Sequence, residues 1–475
     1  MITFLICLTA LIVAYFTYGR RLERLAQIDS GNSVPSERLY DGIDYVPMPR
    51  WKVFLIQLLN IAGTGPIFGA ILGAAFGPVA FLWITLGGIF MGAMHDFLSG
   101  VMILRNDGLS LPEVAGRYLG DGMRHFIRVF CVILMVIVGA VFLLSPADIL
   151  FGMVPAIPHS VWVWIILAYY FIATLLPIDK IIGKIYPVFG AALILMVLGL
   201  FGVLIFGPYR IPELTTLANA QLNPRDMPII PTLFITVACG AISGFHATQS
   251  PLMARCMRNE KECRPVFYGA MISESIIALI WAAIGMAFFG GAHALAEALA
   301  ENGNSAAWAV NVISTTTLGV VGGILALLGV VAAPITSGDT AFRSARLIIA
   351  DIFHIEQRTA WKRFAIAIPL FAVGYYITQI DFSVIWRYFA WTNQTLGAIT
   401  LWTIVVWLAS TRRNCFFALL PALFMTFICA SFVFVSDQFF GMENRIAAYL
   451  LAGAATLIVL LFAILKIRRD GRRHA

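Results

Sequence analysis

The chain has 475 residues, 60% of them hydrophobic and 12% charged, with a net charge of +7 and a mean hydropathy of +0.88. A soluble globular protein carries about twice that charged fraction, so a soluble domain is excluded and a polytopic membrane protein is expected. The seven cysteines lie scattered through spans and basic loops and build no disulfide framework. The basic block from Lys466 to Arg473 suits anionic lipid rather than nucleic acid.

Residues 2–18 form an apolar run followed at once by Arg20, Arg21 and Arg24. Positive charge after the run, and no cleavage box, point to a span with its N-terminus outside rather than a signal peptide. Further spans are predicted at 52–76, 78–104, 126–145, 161–177, 185–207, 229–250, 266–290, 317–343, 363–379, 384–408, 415–435 and 446–466, each long enough to cross the hydrocarbon core. The total is about thirteen transmembrane helices in an all-α integral membrane protein. The apolar segment around Trp308 is expected to be an outer-face helix leading into the ninth span. Segments 19–52, 105–128, 178–184, 252–265, 343–363, 409–414 and 466–475 hold 28 of the 32 Lys and Arg residues. The positive-inside rule therefore sets the C-terminus in the cytoplasm.

Span two carries Asn60-Ile61-Ala62-Gly63-Thr64-Gly65-Pro66. Two glycines and a proline in four residues cannot hold a continuous helix, and lipid tolerates freed backbone groups only where protein, water or a ligand satisfies them. Span seven carries Cys239-Gly240-Ala241-Ile242-Ser243-Gly244-Phe245-His246, a second break in a helix of opposite direction. Spans 2–6 and 7–11 then read as two inverted five-helix repeats, a hallmark of secondary transporters; glycines that serve close helix packing are the alternative. The expected organisation is an N-terminal span with a basic flank (1–30), a transporter core (31–410, repeats near 52–207 and 229–408) and two accessory spans with a basic tail (411–475).

Ionisable residues inside spans are expensive and point to function. His95 and Asp96 in span three, Glu274 in span eight and Asp339 in span nine are candidate proton-coupling groups. Adjacent helical residues do not share a face, so His95 and Asp96 are not expected to pair with each other; Asp96 bound to a basic loop residue such as Arg105 is the alternative. His246, at the second break, suits an anionic substrate or a proton. Cys239, His246, Cys256 and Cys263 match no zinc spacing, and no metal or cofactor is expected. In Ala332–Thr340, the hydroxyls of Thr336 and Ser337 and the carbonyls freed by Pro334 are oxygen ligands for a small hard cation, unless the hydroxyls simply bond back to their own helix. The run Trp391-Thr392-Asn393-Gln394 places amides inside span eleven, as helix–helix contacts or as substrate contacts.

Several ordered motifs carry a resemblance: Asp41-Gly42-Ile43-Asp44-Tyr45-Val46-Pro47; Ile61–Ile67; Gly92-Ala93-Met94-His95-Asp96-Phe97 with Arg105-Asn106-Asp107-Gly108; Ala238–His246; and Ala345-Arg346-Leu347. Over roughly residues 35–410 the chain resembles the carbon-starvation protein A (CstA) family. That resemblance implies a bacterial inner-membrane uptake system for pyruvate or short peptides, induced when carbon is scarce, on a LeuT-like fold. It also implies that Ala333, Thr336 and Ser337 repeat the spacing of a sodium site, with span two supplying carbonyls.

The expected function is cation-coupled uptake, by H⁺ or Na⁺, of a small carboxylate-bearing solute. The substrate would sit between Gly63, Thr64, Gly65 and Pro66 on one side and Gly240, Ser243, Gly244 and His246 on the other. The partners are that solute, its coupling cation and the lipid bilayer. A nutrient sensor without net transport is the alternative. No nucleophile–base pair marks an enzyme, and no repeated filter loops mark a channel.

Overall fold

The computed structural model describes residues 1–42, 44–175, 178–357 and 359–473. Ile43 of the first motif, the end of the span read at 161–177, Arg358 and the last two residues of the basic tail lie outside the described residues. Every regular element described is a helix. Among the described residues, eight helices are long and apolar enough to cross a membrane, or nine if one bent pair counts as a single span. The chain is thus a multi-pass membrane protein, but the count of thirteen is not reached on that measure. The stretches read at 161–177, 229–250, 363–379 and 384–408 are largely helical, yet none is among the eight.

The core opens after α1 (Ile2–Phe16) with α2 (Arg50–Ile61) and α3 (Gly65–Ala74), which meet at an angle of 56°. The break falls where Gly63, Gly65 and Pro66 predicted it, and α3 starts with a wide π-type turn. Next come α4 (Val79–Arg105), α5 (Asp121–Met153), α6 (His159–Leu175) and α7 (Ile178–Phe206). The second repeat begins with α8 (229–236), an interruption over residues 237–243, and α9 (Gly244–Ala254). Gly240 turns that interruption with φ +87°, and a Cβ there would lie 2.5 Å from the Ala278 methyl. Only glycine meets both conditions.

The repeat continues with α10 (Gly269–Phe289), α11 (Ala306–Leu325) and α12 (Ala332–Ile352). The helix around Trp308 does lead into the ninth span. Its N-cap Ser305 accepts from the Trp308 amide at 3.1 Å, and it kinks at Gly319. It is itself long and apolar enough to cross. Then come α13 (Ala360–Ile377), α14 (Phe382–Ser410), and the accessory α15 (Phe416–Val435) and α16 (Arg445–Arg473). Helix α15 packs on α14, and α16 on α15.

The repeats interlock. Helix α9 of the second lies on α4 of the first, and α10 lies on α2 and α3. Small residues allow this approach. A methyl on Gly92 would meet the Ala241 carbonyl at 2.2 Å, and one on Gly244 would meet the Gly397 nitrogen at 2.3 Å. On the basic face, the segment before α2 straps the ends of α4 and α9 together. The Met48 amide donates to the Cys256 carbonyl at 2.9 Å, and the Tyr45 hydroxyl to the Asp107 carbonyl at 3.0 Å. Arg255 donates to the Gly108 carbonyl at 2.9 Å and covers the Tyr45 ring. Part of the Asp41–Pro47 motif thus serves as a latch.

Candidate functional site

A helix break in the membrane needs partners for its freed backbone groups, and side chains from other helices supply them. At the first break, the Ser337 hydroxyl of α12 lies 3.2 Å from the Leu59 carbonyl and 3.3 Å from that of Asn60. Thr64 shares a hydrogen bond with Ser145 of α5 at 3.3 Å. At the second, the Trp83 indole of α4 donates to the Val237 carbonyl at 3.1 Å, and Gln394 of α14 to that of Phe234 at 3.2 Å. The Phe245 amide, in the first turn of α9, donates to Asn393 Oδ1 at 2.7 Å. The same side chain donates from Nδ2 to Ser243 Oγ at 2.9 Å. Asn393 therefore caps α9 from another helix, and the two amides of Asn393 and Gln394 act as helix–helix contacts.

The two breaks touch. A methyl on Gly65 would lie 2.3 Å from Cys239 Sγ, and Gly240 faces Pro66. Beside this contact four ionisable side chains converge, each fully buried. Asp96 accepts from His95 Nδ1 and from His246 Nδ1, both at 2.8 Å, one on each carboxylate oxygen. An ionised carboxylate only accepts, so both imidazoles carry their proton on Nδ1. The far nitrogen of His246 then points at Glu274 Oε2, 3.4 Å away. His246 Nε2 and both Glu274 oxygens meet no hydrogen-bonding partner among the described residues. Taking such groups out of water costs several kcal/mol per ion, so a purely structural role would be expensive.

The sequence reading of His95 and Asp96 needs correction: they do pair. Cβ positions one residue apart diverge, but Nδ1 lies only two bonds from Cβ and curls sideways to the neighbouring carboxylate. A wide π-type turn, Trp83–Gly92, ends just before them, the kind of distortion that clusters at functional sites. The alternative pairing of Asp96 with Arg105 is not found, because Arg105 binds Glu260 at 2.6 Å. Cys256 and Cys263 stay apart from this centre; Cys256 belongs to the basic-face latch.

A second polar centre lies at the start of α12. Thr336 Oγ1 donates to the Ala333 carbonyl at 2.7 Å and Ser337 Oγ to the same carbonyl at 3.0 Å. Both hydroxyls bond back to their helix, while Ser337 also reaches the span-two carbonyls. Asp339 does not join the first centre. It lies 3.6 Å from Arg343, close to a point where the Tyr186 hydroxyl donates to the Thr336 carbonyl at 3.3 Å. Sequence reasoning missed Asn393 as a cap, and it missed three buried amides, Gln57, Asn60 and Gln249. Among the described residues, the side chains of Gln57 and Asn60 meet no hydrogen-bonding partner, nor does the Gln249 oxygen. The Gln57–Asn60 spacing, one helical turn in an apolar span, was the available signal.

Away from the basic face, a cavity of about 190 Å³ is lined by Leu72, Thr236, Phe382, Trp386 and Arg387 among others. Its lining joins the far end of α3, the end of α8 and the start of α14. Phe68 packs against Trp386, and Trp386 against Phe389.

Known proteins agree with this architecture. The chain is 43% identical over 349 residues to an uncharacterized membrane protein of Haemophilus influenzae, covering 63% of this chain and 94% of that one. It is 26% identical to the peptide transporter CstA of Bacillus subtilis, covering 96% of this chain and 94% of the relative. It is also 26% identical to the pyruvate/proton symporter BtsT of Escherichia coli, but there the match spans 57% of this chain and only 46% of the relative. The structure of MhsT in complex with L-phenylalanine superposes with a TM-score of 0.55 over 88% of this chain and 99% of that one, at 13% identity, a likeness of fold. The family profile described as carbon starvation protein CstA matches residues 1–156 and 148–325. With two broken, interlocked, inverted repeats of the LeuT-like kind and this match, the chain belongs to the carbon starvation protein CstA family.

Proposed function

We propose that the protein is a cation-coupled secondary transporter that takes up a small carboxylate-bearing nutrient, a pyruvate-type acid or a short peptide. The carrying observation is the meeting of the two helix breaks at Gly65 and Cys239 beside the buried His95–Asp96–His246–Glu274 centre. A soluble binding protein has no need of such a costly junction in mid-membrane; alternating access around a fixed site does. Gly63, Thr64, Gly65 and Pro66 bound the substrate place on one side, Gly240, Ser243 and His246 on the other. Gly244 sets how closely α9 approaches α14. The relatives named for peptide and for pyruvate transport support a carboxylate-bearing solute, as does Arg387 in the lining of the 190 Å³ cavity. The latch across the basic face and the cavity opposite correspond to a conformation closed towards the cytoplasm.

In this reading the core spans 31–410, with repeats near 52–207 and 229–408 rocking against each other. Segment 1–30 and the pair of helices after 411 are accessory. The protein lies in the bacterial inner membrane with its N-terminus outside and its C-terminus in the cytoplasm, and serves the response to carbon starvation. Two centres are placed to take the coupling cation. The His95–Asp96–His246–Glu274 centre favours H⁺. The hydroxyls of Thr336 and Ser337, with the carbonyls of Ala333, Leu59 and Asn60, favour Na⁺. Asp339 is a further proton candidate on the α12 side.

The test is uptake of labelled pyruvate and of a labelled dipeptide into proteoliposomes, first under a proton gradient and then under a sodium gradient. Uptake of one solute driven by one gradient is expected, and it names both. No gradient-dependent uptake of either would overturn transport in favour of a membrane nutrient sensor.

A further inference from the structure

Three ligand-type atoms face one another in the centre of the molecule. Two of them, His246 Nε2 and a Glu274 oxygen, lack a hydrogen-bonding partner among the described residues. The third, Cys239 Sγ, has only long contacts of 3.7 Å to Ser243 Oγ and Asn393 Nδ2. Cys239 Sγ, His246 Nε2 and a Glu274 oxygen lie within 4.8 Å of one another, and all three residues are buried. Sequence spacing rejected Cys239, His246, Cys256 and Cys263 as a zinc set and did not bring up this grouping, which joins two residues of the second break to one on α10. A buried His nitrogen and a buried carboxylate without partners call for a shared one. We infer that Cys239, His246 and Glu274 form a binding site for a single divalent transition-metal ion of the zinc type.

Geometry supports the ion. Zinc–nitrogen and zinc–oxygen bonds of about 2.0–2.1 Å set a tetrahedral edge of about 3.3 Å, and His246 Nε2 lies 3.4 Å from Glu274 Oε2. The thiol lies within 4.8 Å of both other atoms, against a tetrahedral sulfur–nitrogen edge of about 3.5 Å. The imidazole is already oriented for the task, since Asp96 holds Nδ1 at 2.8 Å. Zinc-ligating histidines are held in this way by a carboxylate on the other ring nitrogen. A sulfur, nitrogen and oxygen donor set selects zinc-like ions over magnesium or calcium, which take oxygen alone. Three protein ligands leave one tetrahedral position for water or a solute carboxylate.

Binding requires the thiolate, so the Cys239 thiol releases its proton to solvent as the ion enters. An ion here would also tie together the two breaks, because Cys239 rests on Gly65. The inference goes beyond solute uptake; because the ion would occupy His246 and Glu274, its presence would leave coupling to the other centre, at Thr336 and Ser337.

The test is a Co²⁺ titration of the purified, detergent-solubilised chain followed by absorption, with Zn²⁺ as competitor. One Co²⁺ per chain is expected, with a thiolate-to-cobalt charge-transfer band that Zn²⁺ removes. Cys239→Ser should lose the band, whereas Cys256→Ser and Cys263→Ser should keep it. Asp96→Asn, acting as a positioning change, should weaken binding about 10–100-fold while leaving the band's shape intact. No stoichiometric Co²⁺ binding by the wild-type chain would overturn the site without any variant having to fold. A band that persists in Cys239→Ser, or vanishes in Cys256→Ser, would overturn it equally.

Discussion

At the first helix break, freed carbonyls of Leu59 and Asn60 meet a neutral hydroxyl, Ser337. At the second, an indole and two amides serve the backbone, and a buried Asp96 with two imidazoles stands alongside. The two positions are equivalent by repeat, yet one is built from hydroxyl and carbonyl oxygen and the other from groups that gain and lose protons. Inverted repetition fixes where the backbone opens. It leaves free which chemistry fills the opening, and in the proposed function that asymmetry separates a centre for a hard cation from one for a proton or a soft ion.

The strongest way to break the comparison is Asp96→Ala. It strands two buried imidazoles that now share one carboxylate. Removing one partner of a buried ionic group costs about 3–5 kcal/mol. Thermal unfolding in detergent should show a loss of that order, and gradient-driven uptake should disappear. Near-normal stability would mean that the centre is not charged in the folded protein. Gly244→Ala tests the frame without touching a charge. The added methyl would meet backbone atoms of α14 at 2.3 and 2.5 Å, which cannot swing aside as a side chain would. Overpacking of this kind costs about 1–3 kcal/mol. A melting temperature equal to wild type would show that α9 and α14 part more easily than their packing implies.

How much of this was legible beforehand differs between the two centres for a physical reason. The breaks themselves were readable, because Gly63, Gly65, Pro66 and Gly240 carry their conformational message locally. At Thr336 and Ser337 the bond back to the helix, the alternative to a cation site, is present for both hydroxyls, while Ser337 also reaches the span-two carbonyls. The partners were not readable. His246, Asp96 and Glu274 sit on three different helices, and one-dimensional spacing carries no distance between helices. The rule that neighbours on a helix diverge misled for His95 and Asp96, since it speaks of Cβ directions and not of a ring nitrogen able to bend back. Asn393 looked like a generic amide because its role as the cap of α9 exists only once α14 is packed in place. Cys256 and Cys263 drew attention by proximity in sequence to Cys239, yet the residue that joins Cys239 and His246 is Glu274, 35 positions beyond the cysteine.

The double change Thr336→Ala/Ser337→Ala sharpens the comparison from the other side. Ser337 loses its contacts to the Leu59, Asn60 and Ala333 carbonyls, and each hydrogen bond is worth about 0.5–1.5 kcal/mol net. A modest fall in melting temperature is expected, smaller than for Asp96→Ala. If the sodium gradient is the one that drives uptake, uptake should be lost; if the proton gradient drives it, uptake should be kept. If proton-driven uptake vanished instead, the two centres would not be separable, and the functional asymmetry between the breaks would fall.

The smallest effect belongs to a carboxylate outside the membrane, where water competes for every charge. Glu213 accepts from the Thr3 hydroxyl at 2.6 Å and from the amides of Ile2 at 2.7 Å and Thr3 at 2.9 Å, and it pairs with the Met1 ammonium. These contacts, with the ammonium first, hold its pKa at about 2, below the ordinary 4.5. A depressed carboxylate stabilises the fold fully above its unfolded pKa, and the contribution fades as pH falls towards the folded value. The tether of α1 should therefore be intact at neutral pH and released between about 4.5 and 2. Because the group is exposed, the melting temperature should barely respond to Glu213→Gln. Hydrogen exchange at residues 1–5 should be faster in the variant at neutral pH, and the difference should shrink as pH falls towards about 2 and vanish below it. A difference that persisted in acid would show that the tether acts through something other than this charge. A drop in melting temperature as large as that of Asp96→Ala would show that burial, the property that separates the inner centres from this carboxylate, is not what makes their charges costly.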